Sequence, residues 1–322
     1  MQQTSNQTVH HLQNTVHGFP VNIPSRAKHL LGDAIKWLRQ GDQIALLTLV
    51  NIEGSAPYPP GSQMLVNQRG EYLGQITGGC AEVALADQAV AAIGQQANTV
   101  ERYGLNSPYF DIQLPCGSGI DVHFEVAAKL ADYEELHAKL LRRESAEQQL
   151  KNRLGVFKRV YAPAERLLVF GQGPILASLA QLARFSGFEV IAVAQDANSV
   201  ARLNEMGVSA VELSTNKQDY QQICDKHTAV VSLFHEHEFE TDILRQVLAT
   251  EAFYIGALGS RRTHEQRLES LQSLGLSGAD LDKIHGPVGL DIGANTPEQI
   301  AVSVIAQLIE KLPRADALLN VG

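Results

Sequence analysis

Arg166-Leu167-Leu168-Val169-Phe170-Gly171-Gln172-Gly173 decides the fold of the C-terminal half. Leu167 to Phe170 is an unbroken apolar run, as expected of a strand buried on both faces. Two glycines then break the run, and an apolar segment with helical spacing continues to Phe185. Gly187 stops that helix, and Val190 to Ala194 predicts the next strand. Further short apolar runs lie at Ala229 to Leu233 and Phe253 to Gly256. Strand, glycine-rich turn, helix and strand in that order signify a parallel sheet with helices on both faces. A doubly wound α/β domain is therefore expected over residues 165–314.

The N-terminal half has a different rhythm. Ser25 is placed to cap a helix carrying Leu30, Leu31, Ala34, Ile35 and Leu38, with Gly41 as its stop. Strands are expected at Ile44 to Val50, Met64 to Val66, Tyr72 to Ile76 and Ile120 to Val126, the second and third joined by a turn at Asn67 to Gly70. Asn51 to Gly61 holds too much Gly and Pro for helix or central strand. Thr77-Gly78-Gly79-Cys80 opens an alanine-rich helix reaching about Ala97. Without regular βαβ alternation, residues 25–127 are expected to form an α+β domain. Residues 1–24 suggest a loose polar tail, residues 128–164, with their AEQQLKNRL stretch, a helical connector, and residues 315–322 a short C-terminal tail. The predicted class is α/β, an α+β domain followed by a Rossmann-like doubly wound domain.

Composition narrows the function. With 44% hydrophobic and 19% charged residues in 322, the chain is globular and not disordered. No run approaches the roughly 18 apolar residues of a membrane span, and the first 20 residues lack a basic segment followed by an apolar one, so no secretory signal is expected. A net charge of -9 argues against a general binder of nucleic acid or anionic membrane. Three cysteines cannot form a fully paired disulfide framework, and thiols in the cytoplasm are the simplest reading.

Several segments can carry chemistry. Gly171 and Gly173 let the backbone approach a phosphate at a helix N-terminus. Leu176 stands at the third glycine position with the small Ala177 beside it, and the acid that would meet a ribose at the end of the next strand is replaced by Ala194, with Asp196 two residues on. The domain therefore either binds a dinucleotide or is a scaffold holding none. Gly78-Gly79-Cys80-Ala81-Glu82 places a thiol where a helix dipole favours an anion. Cys116-Gly117-Ser118 is a second thiol in a glycine-rich turn. The two cysteines are either soft metal ligands or small fillers beside tight turns, and for Cys224, which no glycine flanks, the filler reading prevails. His235-Glu236-His237-Glu238 follows a strand, a usual site position in open α/β sheets. Ser260-Arg261-Arg262 follows another, and its arginines suit an anion. His285-Gly286-Pro287-Val288-Gly289-Leu290-Asp291 is so dense in Gly and Pro that its backbone is expected to be shaped closely around something. Thr296 with Pro297 and Gln299 predicts a capped helix start.

In that order, these blocks resemble the XdhC/CoxI family of xanthine dehydrogenase accessory proteins. The resemblance adds Gly54-Ser55-Ala56-Pro57, Pro60-Gly61 and Tyr254 to Arg262, and covers nearly all the chain after the tail. It implies a cytoplasmic chaperone that binds the molybdenum cofactor, protects it and delivers it to a xanthine dehydrogenase-like molybdenum hydroxylase, a cysteine desulfurase supplying the sulfido ligand. Homodimerisation follows by analogy alone. The implied cofactor contacts are Gly78, Gly79, Cys80, Glu82, Cys116, Gly117, Gly171, Gly173, His235, Ser260, Arg261, Arg262, His285 and Asp291, with Cys80 and Cys116 nearest the metal. Ser118 departs from a commoner glycine. No Ser/His/Asp order or complete metal triad emerges, which favours a non-catalytic accessory protein. The alternative is an NAD(P)- or FAD-dependent oxidoreductase using the Rossmann-like half.

Overall fold

The computed structural model describes residues 15–16, 19–20, 30–108, 117–126, 128–213, 219–234 and 237–312. Apart from its two ends, the chain divides into two compact units, one running from Lys28 to Pro163 and the other from Ala164 to Arg314. No described helix is long and apolar enough to cross a membrane. A short antiparallel pair, β1 (Thr15–Val16) and β2 (Phe19–Pro20), precedes the first unit's elements.

The Lys28–Pro163 unit is built on a five-stranded antiparallel sheet. Its strands are β3 (Ile44–Glu53), β4 (Gln63–Asn67), β5 (Tyr72–Gly74), β6 (Thr99–Gly104) and β7 (Gly119–Glu125), in the order β5-β4-β3-β7-β6. Helix α1 (Leu31–Arg39) precedes the sheet, and Gly41 follows with φ +87°, as its predicted stop requires. Helix α2 (Glu82–Gln95) lays Leu85, Ala89, Ala92 and Ile93 on one sheet face, against Leu47, Met64, Val122 and Phe124. The predicted strands are present. β3 runs three residues beyond expectation, to Glu53, and β6 is an addition, since TVERYG lacks a clear apolar period.

The other face departs furthest from expectation. Residues 128–163 cluster with this unit, and only α3 (Leu130–Leu141) is helical. AEQQLKN is a strand, β8 (Ala146–Asn152), paired with β9 (Gly155–Tyr161) in an antiparallel hairpin. Helical propensity loses here because Ala146, Leu150 and Tyr161 bury against the sheet. Thr48, Gln63, His123 and Glu125 are thereby roofed over. A chain of hydrogen bonds runs beneath the hairpin: Gln63 Nε2 donates to Thr48 Oγ1 (3.1 Å) and Tyr161 OH (3.0 Å), Tyr161 OH to Gln148 Oε1 (3.0 Å), and Gln148 Nε2 to Glu125 Oε1 (2.8 Å).

The second unit carries a six-stranded parallel sheet: β10 (Arg166–Gly171), β11 (Glu189–Ala194), β12 (Ser209–Glu212), β13 (Thr228–Ser232), β14 (Tyr254–Ala257) and β15 (Ile284–His285). Their order, β12-β11-β10-β13-β14-β15, is the 3-2-1-4-5-6 arrangement of a Rossmann fold. Helices α4 (Gly173–Phe185) and α9 (Pro297–Lys311) cover the face with Leu167 and Val169. α6 (His237–Leu248) and α7 (Arg261–Ser273) cover the face with Leu168 and Phe170. Alternate residues of one strand thus feed two cores, as the unbroken apolar run required. Between β11 and β12 lies α5 (Ala197–Glu205), and α8 (Gly278–Leu281) precedes β15.

Candidate functional site

In the antiparallel unit, three glycine-rich segments converge at one end of the sheet. A Cβ placed on Gly78 would lie 3.6 Å from the Pro57 ring and 3.8 Å from Tyr58, whose hydroxyl donates to Gln75 Oε1 at 2.9 Å. A Cβ on Gly54 would lie 3.4 Å from Ser118 Cβ. Segments 54–58, 77–80 and 117–119 therefore adjoin, although they are far apart in sequence. Cys80 is an exposed free thiol on this cluster, beside exposed Gly78 and Gly79 with φ +78° and +105°. Gly117 is also exposed, and Ser118 is buried. Cys116 lies outside the described residues.

Helix α2 begins at Glu82, not at Cys80, and Glu82 organises the loop before it. Its carboxylate is buried at 3% exposure. Oε1 accepts from the amides of Ile76 (3.0 Å), Thr77 (2.7 Å) and Gly78 (3.1 Å). Oε2 accepts from the Thr77 hydroxyl (2.5 Å) and the amides of Gly79 (2.8 Å) and Ala81 (3.3 Å). Burial works to raise the Glu82 pKa, but the bonds from Thr77 and the neighbouring amides outweigh it and bring the value to about 2. The anion expected at this helix start is thus the chain's own carboxylate. Arg102 pins the neighbouring backbone: it donates to Leu105 O (2.9 Å), Asp121 Oδ2 (2.9 Å) and Glu53. Its guanidinium fills the space a side chain at Gly119 would need, which explains that glycine.

In the parallel unit, the carboxyl ends of the strands present the remaining candidates. A Cβ on Gly171 (φ +152°) would fall 2.8 Å from Leu233 Cβ, whereas Gly173 (φ +74°) has nothing within 4 Å. Gly171 therefore serves close packing, and Gly173 leaves open space at the start of α4. Asp196 is committed elsewhere, accepting from the Ser199 amide (2.9 Å) and hydroxyl (2.7 Å) as the cap of α5. Ser260 caps α7, accepting from the Thr263 amide at 3.1 Å. Arg261 and Arg262 are exposed in the first turn of that helix, where the dipole opposes cations. An anion bound there would relieve both.

The Gly/Pro segment is shaped around the protein itself. A Cβ on Gly286 would strike His264, and one on Gly289 would strike Ser303. His285 stacks on Tyr254 with centroids 4.7 Å apart, and burial lowers its pKa. Asp291 is exposed. His235 and Glu236 lie outside the described residues. Thr296 and Gln299 cap α9 as predicted, the Thr296 hydroxyl accepting from the Gln299 amide at 3.3 Å. Cys224 packs against the core, as a filler does. Among the described residues no three His, Cys, Asp or Glu side chains are grouped to hold a metal.

Sequence reasoning missed the charged pair beneath this edge. Arg267 Nε donates to Glu240 Oε2 at 2.9 Å with both side chains almost fully buried. Arg267 Nη2 reaches Leu258 O (2.7 Å), and Ser232 Oγ reaches Glu240 Oε1 (2.7 Å). The pair ties the end of β13 to the turn before Ser260. A charged residue every few positions in two amphipathic helices gave no signal of it.

Comparison with known proteins follows the same two units. Residues 37–104 match the model described as the XdhC and CoxI family, and residues 167–308 that described as the XdhC Rossmann domain. The molybdenum cofactor insertion chaperone PaoD of Escherichia coli is 33% identical over 295 residues, covering 87% of this chain and 86% of that protein. A probable xanthine dehydrogenase subunit of Bacillus subtilis is 27% identical over 336 residues, covering 89% and 98%. A crystal structure described as a xanthine dehydrogenase from Bacillus halodurans has the same fold, with a TM-score of 0.73 at 23% identity over 87% of this chain and 95% of that one.

Proposed function

The chain belongs to the XdhC and CoxI family, and from that premise we propose that it carries the molybdenum cofactor and delivers it to a xanthine dehydrogenase-like molybdenum hydroxylase. The observation that carries this reading is the exposed Cys80 thiol on the convergence of segments 54–58, 77–80 and 117–119. Such a thiol is a soft donor suited to molybdenum, and the glycines around it leave room for a bulky pterin. Cys116 belongs to the same segment as Gly117 and is the second proposed thiol contact. In the parallel unit, Arg261 and Arg262 at one helix start and the open backbone at Gly173 at another suit a phosphate group. A cysteine desulfurase as sulfur donor and a homodimeric carrier are parts of the same proposal. The chain's work is to bind, shield and hand over the cargo; the chemistry belongs to the receiving enzyme.

The test is co-expression with a molybdenum hydroxylase, followed by metal and pterin analysis of the purified protein. Molybdenum and pterin should co-purify, and the hydroxylase should fail to mature when this protein is omitted. Neither co-purifying, with normal maturation, overturns the reading. The 3-2-1-4-5-6 strand order and the Gly171–Gly173 turn favour a second reading, binding of NAD(P) or FAD by the parallel unit for oxidoreductase chemistry. Calorimetric titration with Gly173→Asp as control decides it, and no heat at millimolar nucleotide removes it.

A further inference from the structure

Converging backbone amides at a helix start are a ready receptor for a ligand's phosphate. In the Ile76–Ala81 loop that receptor is already filled. The donors to Glu82 are the amides of Ile76, Thr77, Gly78, Gly79 and Ala81, so the carboxylate grips the backbone on both sides of Cys80. The Thr77 hydroxyl adds a strut, donating to Glu82 Oε2 and accepting from the Ala81 amide at 2.9 Å. Gly78 and Gly79 have left-handed backbones, and two adjacent glycines have many other conformations to visit. Six hydrogen bonds to one buried anion select a single one. Glu82 is buried and Cys80 exposed, so the acid supports and the thiol meets the ligand.

We infer that Glu82 is a positioning residue whose carboxylate acts as an internal anion, holding the Gly78-Gly79-Cys80 backbone in the one shape that presents the thiol. The inference rests on the reading of Cys80 as the cofactor contact and goes beyond it in two respects. It takes the loop amides out of ligand binding, so the cargo's phosphate must be held elsewhere. It also predicts that the role follows the negative charge and not merely the bulk of the side chain.

Chemical rescue tests this in the full-length protein. Glu82→Ala vacates a cage the size of a small carboxylate. Hydrogen exchange of residues 76–81 should accelerate while strand β3 exchanges as before, and acetate should restore protection whereas the neutral isostere acetamide should not. Molybdenum retention after co-expression should fall about 10–100-fold, the usual effect of losing an outer support of a metal contact, and recover with acetate. Glu82→Gln, which keeps length and one acceptor oxygen, should be intermediate, and it decides the matter if the alanine variant does not fold. Unchanged exchange over residues 76–81, or acetate and acetamide acting alike, overturns the inference. If the wild-type protein retains no molybdenum, the carrier reading fails instead, and the exchange and acetate measurements still decide the role of Glu82.

Discussion

Replacing Arg267 with Met removes the charge beneath the carboxyl edge of the parallel sheet while nearly keeping its volume. The variant strands the Glu240 carboxylate, 2% exposed, with the Ser232 hydroxyl still donating to it, and removes the donor to Leu258 O. Breaking a buried pair from one side costs about 3–5 kcal/mol, because it leaves an uncompensated buried charge. For a unit of this size that corresponds to a fall of about 6–20 °C in the melting midpoint. The double variant Glu240→Leu/Arg267→Met removes both charges and should melt above the single variant, retaining a deficit of about 1–3 kcal/mol for the Ser232 and Leu258 groups. Scanning calorimetry gives the midpoints, and hydrogen exchange of residues 254–273 against residues 44–53 assigns the loss to the parallel unit. A single variant melting within about 2 °C of wild type, or a double variant melting below the single, would show that the pair does not hold this edge.

His123 is fully buried on β7 and burial pushes its pKa down to about 4. The unfolded state therefore takes up a proton near pH 6.5 that the folded state refuses until about pH 4, so stability should fall by about 3 kcal/mol as pH drops through that window. His123→Leu should flatten that slope in denaturant titrations, and an unchanged slope would place the proton uptake elsewhere. Gly171→Ala should destabilise by about 1–3 kcal/mol because Leu233, whose amide bonds Phe170 O at 2.8 Å, cannot retreat. Gly173→Ala meets no neighbour and bears only the strain of its left-handed backbone, φ +74°, so it should cost less; denaturation midpoints in the reverse order would refute that packing argument.

The parallel unit is legible because RLLVFGQG states burial on both faces and the break in one line. What it cannot state is which glycine does what: Gly171 answers to Leu233 across the sheet, and only Gly173 is open. The Gly/Pro segment from His285 is shaped around something, as its composition requires, but His264 and Ser303 arrive from helices distant in sequence. The hairpin of residues 146–161 reads as helix because AEQQLKN has helix-favouring side chains, while its burial depends on a sheet face formed elsewhere. Cys80 stands out through its glycines. Glu82 reads as a ligand contact; its burial beneath the loop is not legible, since a carboxylate reaching back over six residues leaves no mark on spacing alone.

The carrier role of the exposed thiol is decided by the molybdenum and pterin content of the purified wild-type and Cys80→Ser proteins, each co-expressed with a molybdenum hydroxylase. Wild type should hold both, and Cys80→Ser should lose molybdenum more than pterin. Full molybdenum content and full hydroxylase maturation with Cys80→Ser would contradict this and remove Cys80 as the molybdenum contact.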